Sequence, residues 1–329
     1  MEKLLTPGAE MFSNRLKKNL KLRKKWASKT NITSYRLYDA DMPEYAVAID
    51  YYEQTWVHIQ EYAPPEGKLD PEKVEQHRKE IMSAIPDVLP ARQGNIFFKT
   101  RKKQKGKSQY TVLKDETEKL IIHEGGLSFF VNFSRYLDPG IFLDHRITRD
   151  KLRALAKGKR FLNLFCYTGT ATVYAAAGGA VHTCSVDTNR TFLAWAEENL
   201  KINNLAGKEH EFVQEDVKTF LKRNGAALSP AKSESGQKKW DLIFLDPPTF
   251  SNSKSRVEIF DVQKDHVEII NLCLLLLSPG GELVFSNNYH RFKLNRNEIN
   301  ASFVEDITER TIPEDFARKK SHKCWLIKK

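Results

Sequence analysis

The chain has 329 residues, 40% hydrophobic and 29% charged, a balance that supports a sizeable folded core and excludes a disordered chain. A run of about 18 apolar residues is missing, and the opening MEKLLTPGAEMF lacks the long apolar core of a secretory signal, so neither a membrane span nor export is expected and the expected compartment is the cytoplasm. The net charge of +11 points to a polyanionic partner.

The first segment carries Arg15, Lys17, Lys18, Lys21, Arg23, Lys24, Lys25 and Lys29 with no acid among them. On a helical projection Phe12, Leu16, Leu20, Leu22 and Trp26 gather on one side, so residues 1–30 predict a basic helix docked by an apolar stripe.

Residues 31–135 read as a small α+β domain. The stretch 32–62 alternates apolar and polar residues and is rich in Tyr, Val and Ile, which predicts strands. A helical pattern follows over Pro71–Ala84, then short strands over Ile96–Thr100, Leu120–His123 and Leu127–Asn132. The run KTRKKQKGKSQY from Lys99 presents Arg101, Lys102, Lys103 and Lys105 on a loop. Together with Arg15, Lys17, Lys18, Lys21, Lys24 and Lys25 these bases are expected to hold RNA phosphates; the plainer alternative is a solvated surface.

Over residues 136–329 strand and helix alternate, which predicts an α/β domain with a parallel sheet covered on both faces. The strands expected are Arg160–Phe165, Val181–Val186, Glu211–Gln214, Asp241–Leu245 and Glu282–Phe285. Val304–Thr311 and His322–Ile327 should close the sheet as an antiparallel pair with no helix between them. That is the plan of the class I, Rossmann-like methyltransferase sheet. The polar stretch SPAKSESGQKK from Ser229 reads as a surface loop.

Within this domain FLNLFCYTGTATVYAAAGGAVHTCSVD from Phe161 is a strand, a turn with one glycine, a small-residue helix and a second strand ending in Asp187. Gly169 stands where the backbone is expected to approach a ligand. Asp187 suits the two hydroxyls of a ribose, so an adenosine is expected. A dinucleotide site normally shows GxGxxG because a pyrophosphate needs several close amides, whereas Tyr167 occupies the place of a second glycine. S-adenosylmethionine carries no phosphate and is the expected cofactor, with Asp216 of QEDV facing the adenine amino group and Asp246 of LDPPTF at the sheet edge. For Asp187 and Asp216 taken singly, a helix N-cap is the alternative. Pro247 and Pro248 stiffen the turn after the fourth strand, and Phe250 is expected either against a flipped base or packed on the core.

These motifs, with GIFLDHR from Gly140, DPPTFSNSK, FDVQKDH from Phe260 and FSNN from Phe285, resemble the m7G-forming, C-terminal half of the bifunctional 23S rRNA methyltransferase K/L. The likeness runs from TPGAEMFSNRLKKNLK through RLYDADMPEYAVAID to DFARKKSHKCWLI. The resemblance implies that Phe142, Asp144 and Arg146 cover the cofactor and that Phe165, Tyr167, Gly169, Asp187, Asp216 and Asp246 line its pocket, with Asn163 and Thr168 counted beside them. It further implies as target guanine 2069 in helix 74 of 23S rRNA, modified before full subunit assembly. Fused family members carry an RNA-binding THUMP domain and a second methyltransferase making m2G. Neither matches any segment here, so only the m7G activity carries over, and an m2G methyltransferase, fused or separate, is an implied partner.

The rival of the same architecture is a cytosine-C5 methyltransferase, which needs a thiolate to activate the ring. After the fifth strand, where related m5C enzymes place that cysteine, this sequence has Asn287 and Asn288. Cys166, Cys184, Cys273 and Cys324 are scattered without CxxC spacing, so no metal is expected. Guanine N7 bears an in-plane lone pair and no proton, so transfer needs positioning and charge stabilisation rather than a base. Asp246 is the candidate carboxylate near that charge, and Asn287 or Asn288 the candidate holder of the base edge. A noncatalytic RNA-binding assembly factor and a nicotinamide oxidoreductase are the readings from other classes.

Overall fold

Thr6 accepts a hydrogen bond from the amide of Ala9 and Pro7 follows as the first helical residue, which starts α1 (Pro7–Thr30); Asn31, in the left-handed region, ends it. The computed structural model describes residues 5–62, 70–101, 119–227, 239–251 and 260–329. Lys102, Lys103 and Lys105, and the loop from Ser229, lie outside the described residues.

One compact unit holds residues up to Gly126 together with Val131–Pro139. After α1 come β1 (Tyr35–Asp39), β2 (Val47–Tyr52), β3 (Trp56–Tyr62), α2 (Pro71–Val88), β4 (Ile96–Arg101) and β5 (Leu120–Glu124). The first four strands form a sheet in the order β1-β2-β3-β4, antiparallel up to β3, with β4 parallel to β3 after the crossover through α2. Phe12 and Leu16 of α1 pack with Tyr38, Ile49, Ile59 and Ile85 in one core, so the basic helix is docked by an apolar stripe as expected. Leu22 departs from that expectation: it is 64% exposed and lies off the buried face, while Leu20 before it and Trp26 and Ala27 after it pack on the core. α1 shares this unit with the sheet rather than standing as a segment of its own.

The second unit comprises Leu127–Phe130 and Gly140–Lys329. It runs through β6 (Leu127–Val131), α3 (Arg146–Leu155), β7 (Arg160–Leu164), α4 (Thr170–Ala177), β8 (His182–Asp187), α5 (Arg190–Ile202), β9 (His210–Gln214), α6 (Val217–Ala227), β10 (Trp240–Leu245), β11 (Phe250–Ser251), β12 (Phe260–Asp261), α7 (Val262–Leu276), β13 (Leu277–Asn287), β14 (Phe303–Asp306), α8 (Thr308–Thr311) and β15 (Lys323–Lys328). Seven strands form one sheet in the order β14-β15-β13-β10-β7-β8-β9. β13, β10, β7, β8 and β9 are parallel, and β15 runs antiparallel to both β13 and β14. The antiparallel closure agrees with expectation, but the predicted strand Val304–Thr311 stops at Asp306. There the carboxylate of Asp306 accepts the amide of Thr308 and the short α8 begins, so a helical turn does separate the last two strands. The core lies on both faces: Val217, Leu221, Ile270 and Leu274 on one, Leu152, Phe161, Ala171 and Ala175 on the other.

Candidate active site at the carboxyl edge of the sheet

Because β7, β8, β9, β10 and β13 are parallel, Leu164, Asp187, Gln214, Leu245 and Asn287 end at one edge, the side on which open α/β sheets bind ligands. The chain leaving β7 there takes positive φ three times in five residues: Phe165 at 58°, Tyr167 at 50° and Gly169 at 69°. A left-handed non-glycine residue costs about 1–3 kcal/mol, and this turn is held in place from several sides. Cys166 N–H donates to Val186 O at 3.1 Å and Tyr167 N–H to Oδ2 of Asp187 at 3.0 Å; Asn199 Nδ2 donates to Thr168 O at 2.9 Å. Phe142, 39% exposed, lies 5.4 Å ring to ring from Tyr167.

Several expected pocket residues take part in this scaffold. A Cβ on Gly169 would stand 2.4 Å from that of Ala196 on α5, so positive φ and helix packing both require glycine here. Thr168 is buried and its hydroxyl donates to Gly140 O. Asn163, also buried, donates to Oγ1 of Thr172 at 2.9 Å, between β7 and α4. Arg146 is buried in an ion pair with Asp315 at 2.7 Å, which anchors the segment before β15. Asp216 caps α6: its Oδ1 accepts from the amide of Thr219 at 3.1 Å, as the N-cap alternative has it. Asp187 accepts the amides of Tyr167 and Asn189. A carboxylate has roughly four acceptor sites, so this orientation is compatible with ribose hydroxyls on the same group.

Asp246, just beyond β10, sits in a cluster of four titratable groups. Nε2 of His145 lies 3.6 Å from its Oδ2. His145 stacks on His322 with centroids 4.3 Å apart and planes 16° apart, and Nδ1 of His322 is 3.3 Å from Oδ2 of Asp144. Burial pushes the Asp246 carboxyl up to about 6, against the pull of His322 and with the help of Asp144. Asp144 is held well below the usual carboxylate range; burial opposes this, but His145 and His322 prevail. Burial and His145 lower His322. Asp144, His145 and His322 could supply three ligand atoms to a metal ion, but lone pairs of imidazole lie in the ring plane and near-parallel stacked rings direct them side by side rather than to one point. Neither histidine was expected at the site; the signal was His145 in GIFLDHR and His322 in ARKKSHK, residues set inside motifs whose acids and bases drew the reading.

Beyond Asp246, Pro247 is buried and Pro248 half-buried, and they lead to β11, which pairs antiparallel with β12. Phe250 is 48% exposed, so of its two readings core packing is excluded. Thr249 donates its hydroxyl to Oδ1 of Asn288 at 2.6 Å, tying this loop to the end of β13. Asn287 is fully buried and its Oδ1 accepts the amide of Tyr289 at 3.1 Å. All four cysteines are buried. Burial raises their thiols, Cys184 to about 12 and Cys166 well above its ordinary value with Asp187 adding to the effect. Among the described residues no helix is long and apolar enough to cross a membrane.

An edge with a ribose-type acceptor on β8, a strained aromatic turn on β7 and a carboxylate on β10 suits an adenosyl sulfonium better than a dinucleotide. Comparisons agree. Residues 67–315 match the family profile of S-adenosylmethionine-dependent methyltransferases. The ribosomal RNA large subunit methyltransferase K/L of Syntrophotalea carbinolica is 50% identical over 98% of this chain and 44% of its own length. That of Allochromatium vinosum is 47% identical over 98% and 43%. The chain thus spans less than half the length of these curated relatives. The crystal structure of SMU.776 complexed with SAH superposes with a TM-score of 0.76 at 26% identity, covering 99% of this chain and 83% of that one. The chain belongs to the S-adenosylmethionine-dependent methyltransferase family.

Proposed function

We propose that this chain transfers the methyl group of S-adenosylmethionine to N7 of a guanine in 23S rRNA, by resemblance guanine 2069 of helix 74. The target stands in RNA not yet fully assembled into the subunit, in the cytoplasm, and an m2G methyltransferase works beside it. Names of the K/L relatives support a large-subunit rRNA substrate. The observation that carries guanine-N7 is the end of β13: Asn287 and Asn288 stand where a pyrimidine enzyme needs a thiol, and each cysteine is buried with its thiol pushed up. A group that stays protonated and enclosed cannot add to a pyrimidine ring. N7 needs no such help; its lone pair attacks the sulfonium methyl in line, and the purine takes on the positive charge that the sulfur gives up. Phe142 and Tyr167 offer apolar walls, Asp187 a ribose acceptor, and the Asp246 carboxylate a negative charge at the edge where this transfer takes place.

The test is chemical. An N7-methylated guanosine is reduced by borohydride and cleaved by aniline, so rRNA incubated with the enzyme and S-adenosylmethionine should break at one guanine. Methylated but aniline-resistant RNA, or an adduct trapped on 5-fluoropyrimidine RNA, overturns the assignment.

A further inference from the structure

On the far side of Asp246 from Asp187, the carboxyl edge opens into a cleft of about 800 Å³ lined by Asn287, Tyr289, Thr308, Arg318, Lys319 and Lys323, among others. That volume lies within the ~300–1,000 Å³ of small-molecule sites, and the four bases Arg318, Lys319, Lys320 and Lys323 outnumber the two acids Asp306 and Glu309 in its lining, which suits a ligand that carries phosphate. The strand order explains the location. β7 and β8 carry the residues suited to S-adenosylmethionine, β10 carries Asp246, and β13, β15 and β14 lie beyond it, so an acceptor arriving at Asp246 opposite the cofactor enters through this cleft.

Asn287 is among its lining residues, and the orientation of its side-chain amide is fixed. Its Oδ1 is used by the amide of Tyr289 at 3.1 Å, and reversing the side chain would set NH2 against that N–H. Nδ2 therefore carries the donors, and among the described residues it has no hydrogen-bond partner although the side chain is fully buried. A buried donor is costly to leave unmatched, so a ligand acceptor is what this atom awaits. Asn288 does not share the role: its side chain is exposed, so water can satisfy its donor.

We propose that Asn287 reads the acceptor purine: Nδ2–H donates to O6 of guanine and so places the neighbouring N7 before the sulfonium methyl. Adenine has an amino group where guanine has O6, and would set N–H against N–H. Asn287 is thus the residue that selects guanine over adenine. This rests on the guanine-N7 reading.

The experiment uses an RNA hairpin with either guanosine or 2-aminopurine riboside at the methylated position; the analogue keeps N7 and lacks O6. The wild-type enzyme should lose roughly 10–100-fold in kcat/KM on the analogue, in line with one buried donor left unmatched. Asn287→Ala should lose a similar factor on guanosine and nothing further on the analogue, while its S-adenosylmethionine affinity stays at the wild-type value. Asn287→Asp, which keeps the bond to Tyr289, should lose at least as much on guanosine. Penalties that multiply between variant and analogue overturn the assignment of Asn287 while leaving guanine-N7 standing. A wild-type enzyme that methylates both RNAs equally well overturns it without recourse to any variant. A product other than N7-methylguanine removes the functional reading and this inference with it.

Discussion

Nε2 of His145 stands 3.6 Å from Oδ2 of Asp246, on an imidazole that stacks against His322. The carboxyl it faces is pushed up to about 6 by burial, with His322 pulling it down and Asp144 up. It is therefore ionised at pH 7 and mostly neutral at pH 5, and a neutral acid offers little to a cationic purine. Single-turnover transfer should fall as pH drops through about 6. Beside burial, Asp144 raises this limb and His322 and Arg149 lower it, while His145 faces the carboxylate at 3.6 Å. Replacing His322 by Gln removes a group that lowers Asp246, so the limb should move to higher pH; a limb that stays in place dissociates Asp246 from the rate.

The same shift opposes folding. Folded Asp246 holds its proton up to about 6 against 3.8 for an ordinary aspartate, so the native state binds more protons in that window and stability declines as pH rises from about 4 to 6. The decline amounts to at most ~3 kcal/mol at 1.36 kcal/mol per unit. Asp246→Asn cannot ionise. It should melt above the wild type at pH 8, lose that advantage at pH 4, and transfer methyl far more slowly at both. Thermal melts at the two pH values decide whether the carboxylate is held at a cost to stability.

Much of this site is legible in the sequence because strand ends are: Asp187 and Asp246 close apolar runs, and parallel pairing brings such ends to one edge. What is not legible is which way a side chain turns once there. Asn163 and Thr168 sit among pocket residues in the chain yet bond inward, and Arg146 finds Asp315 far along the sequence. His145 and His322 stack across a similar separation, and no local pattern announces such a pair. Gly169 is legible as a glycine turn, but its packing against Ala196 depends on how closely α4 approaches α5.

Asp187 tethers the amides of Tyr167 and Asn189, and on the proposed function it also accepts from the ribose. Asp187→Ala should weaken S-adenosylmethionine binding at least ~tenfold, since charge-assisted hydrogen bonds contribute about 1.5–3 kcal/mol each. Calorimetry giving an unchanged affinity would remove the residue from the cofactor site.

Replacing Cys166, Cys184, Cys273 and Cys324 together by alanine should leave turnover per folded molecule near the wild-type value. Alanine is chosen over serine because all four are buried and a buried hydroxyl without a partner adds about 1–3 kcal/mol of cost. Melting temperature should fall as packing loosens, while methyl transfer at low temperature persists. Loss of transfer in protein with a native circular dichroism spectrum, traced to one cysteine, would restore a covalent route.

The basic helix allows a separation of bases by their partners. Lys18, Lys21, Lys24 and Lys25 are exposed on α1, whereas Lys17 is paired with Asp87 at 2.7 Å and Arg101, in the second basic run, with Asp138. A lysine that already has a carboxylate releases fewer counterions when RNA arrives. Changing Lys18, Lys21, Lys24 and Lys25 together to Gln should weaken rRNA binding and flatten the plot of log affinity against log salt by about 0.7–0.9 for each phosphate no longer neutralised. Lys17→Gln alone should change the slope by less than one such step, and neither protein should differ in S-adenosylmethionine affinity. Fluorescence anisotropy with labelled RNA across a series of salt concentrations measures the slopes; if the fourfold variant keeps the wild-type slope, the bases of α1 only solvate its outer face and the RNA is held elsewhere.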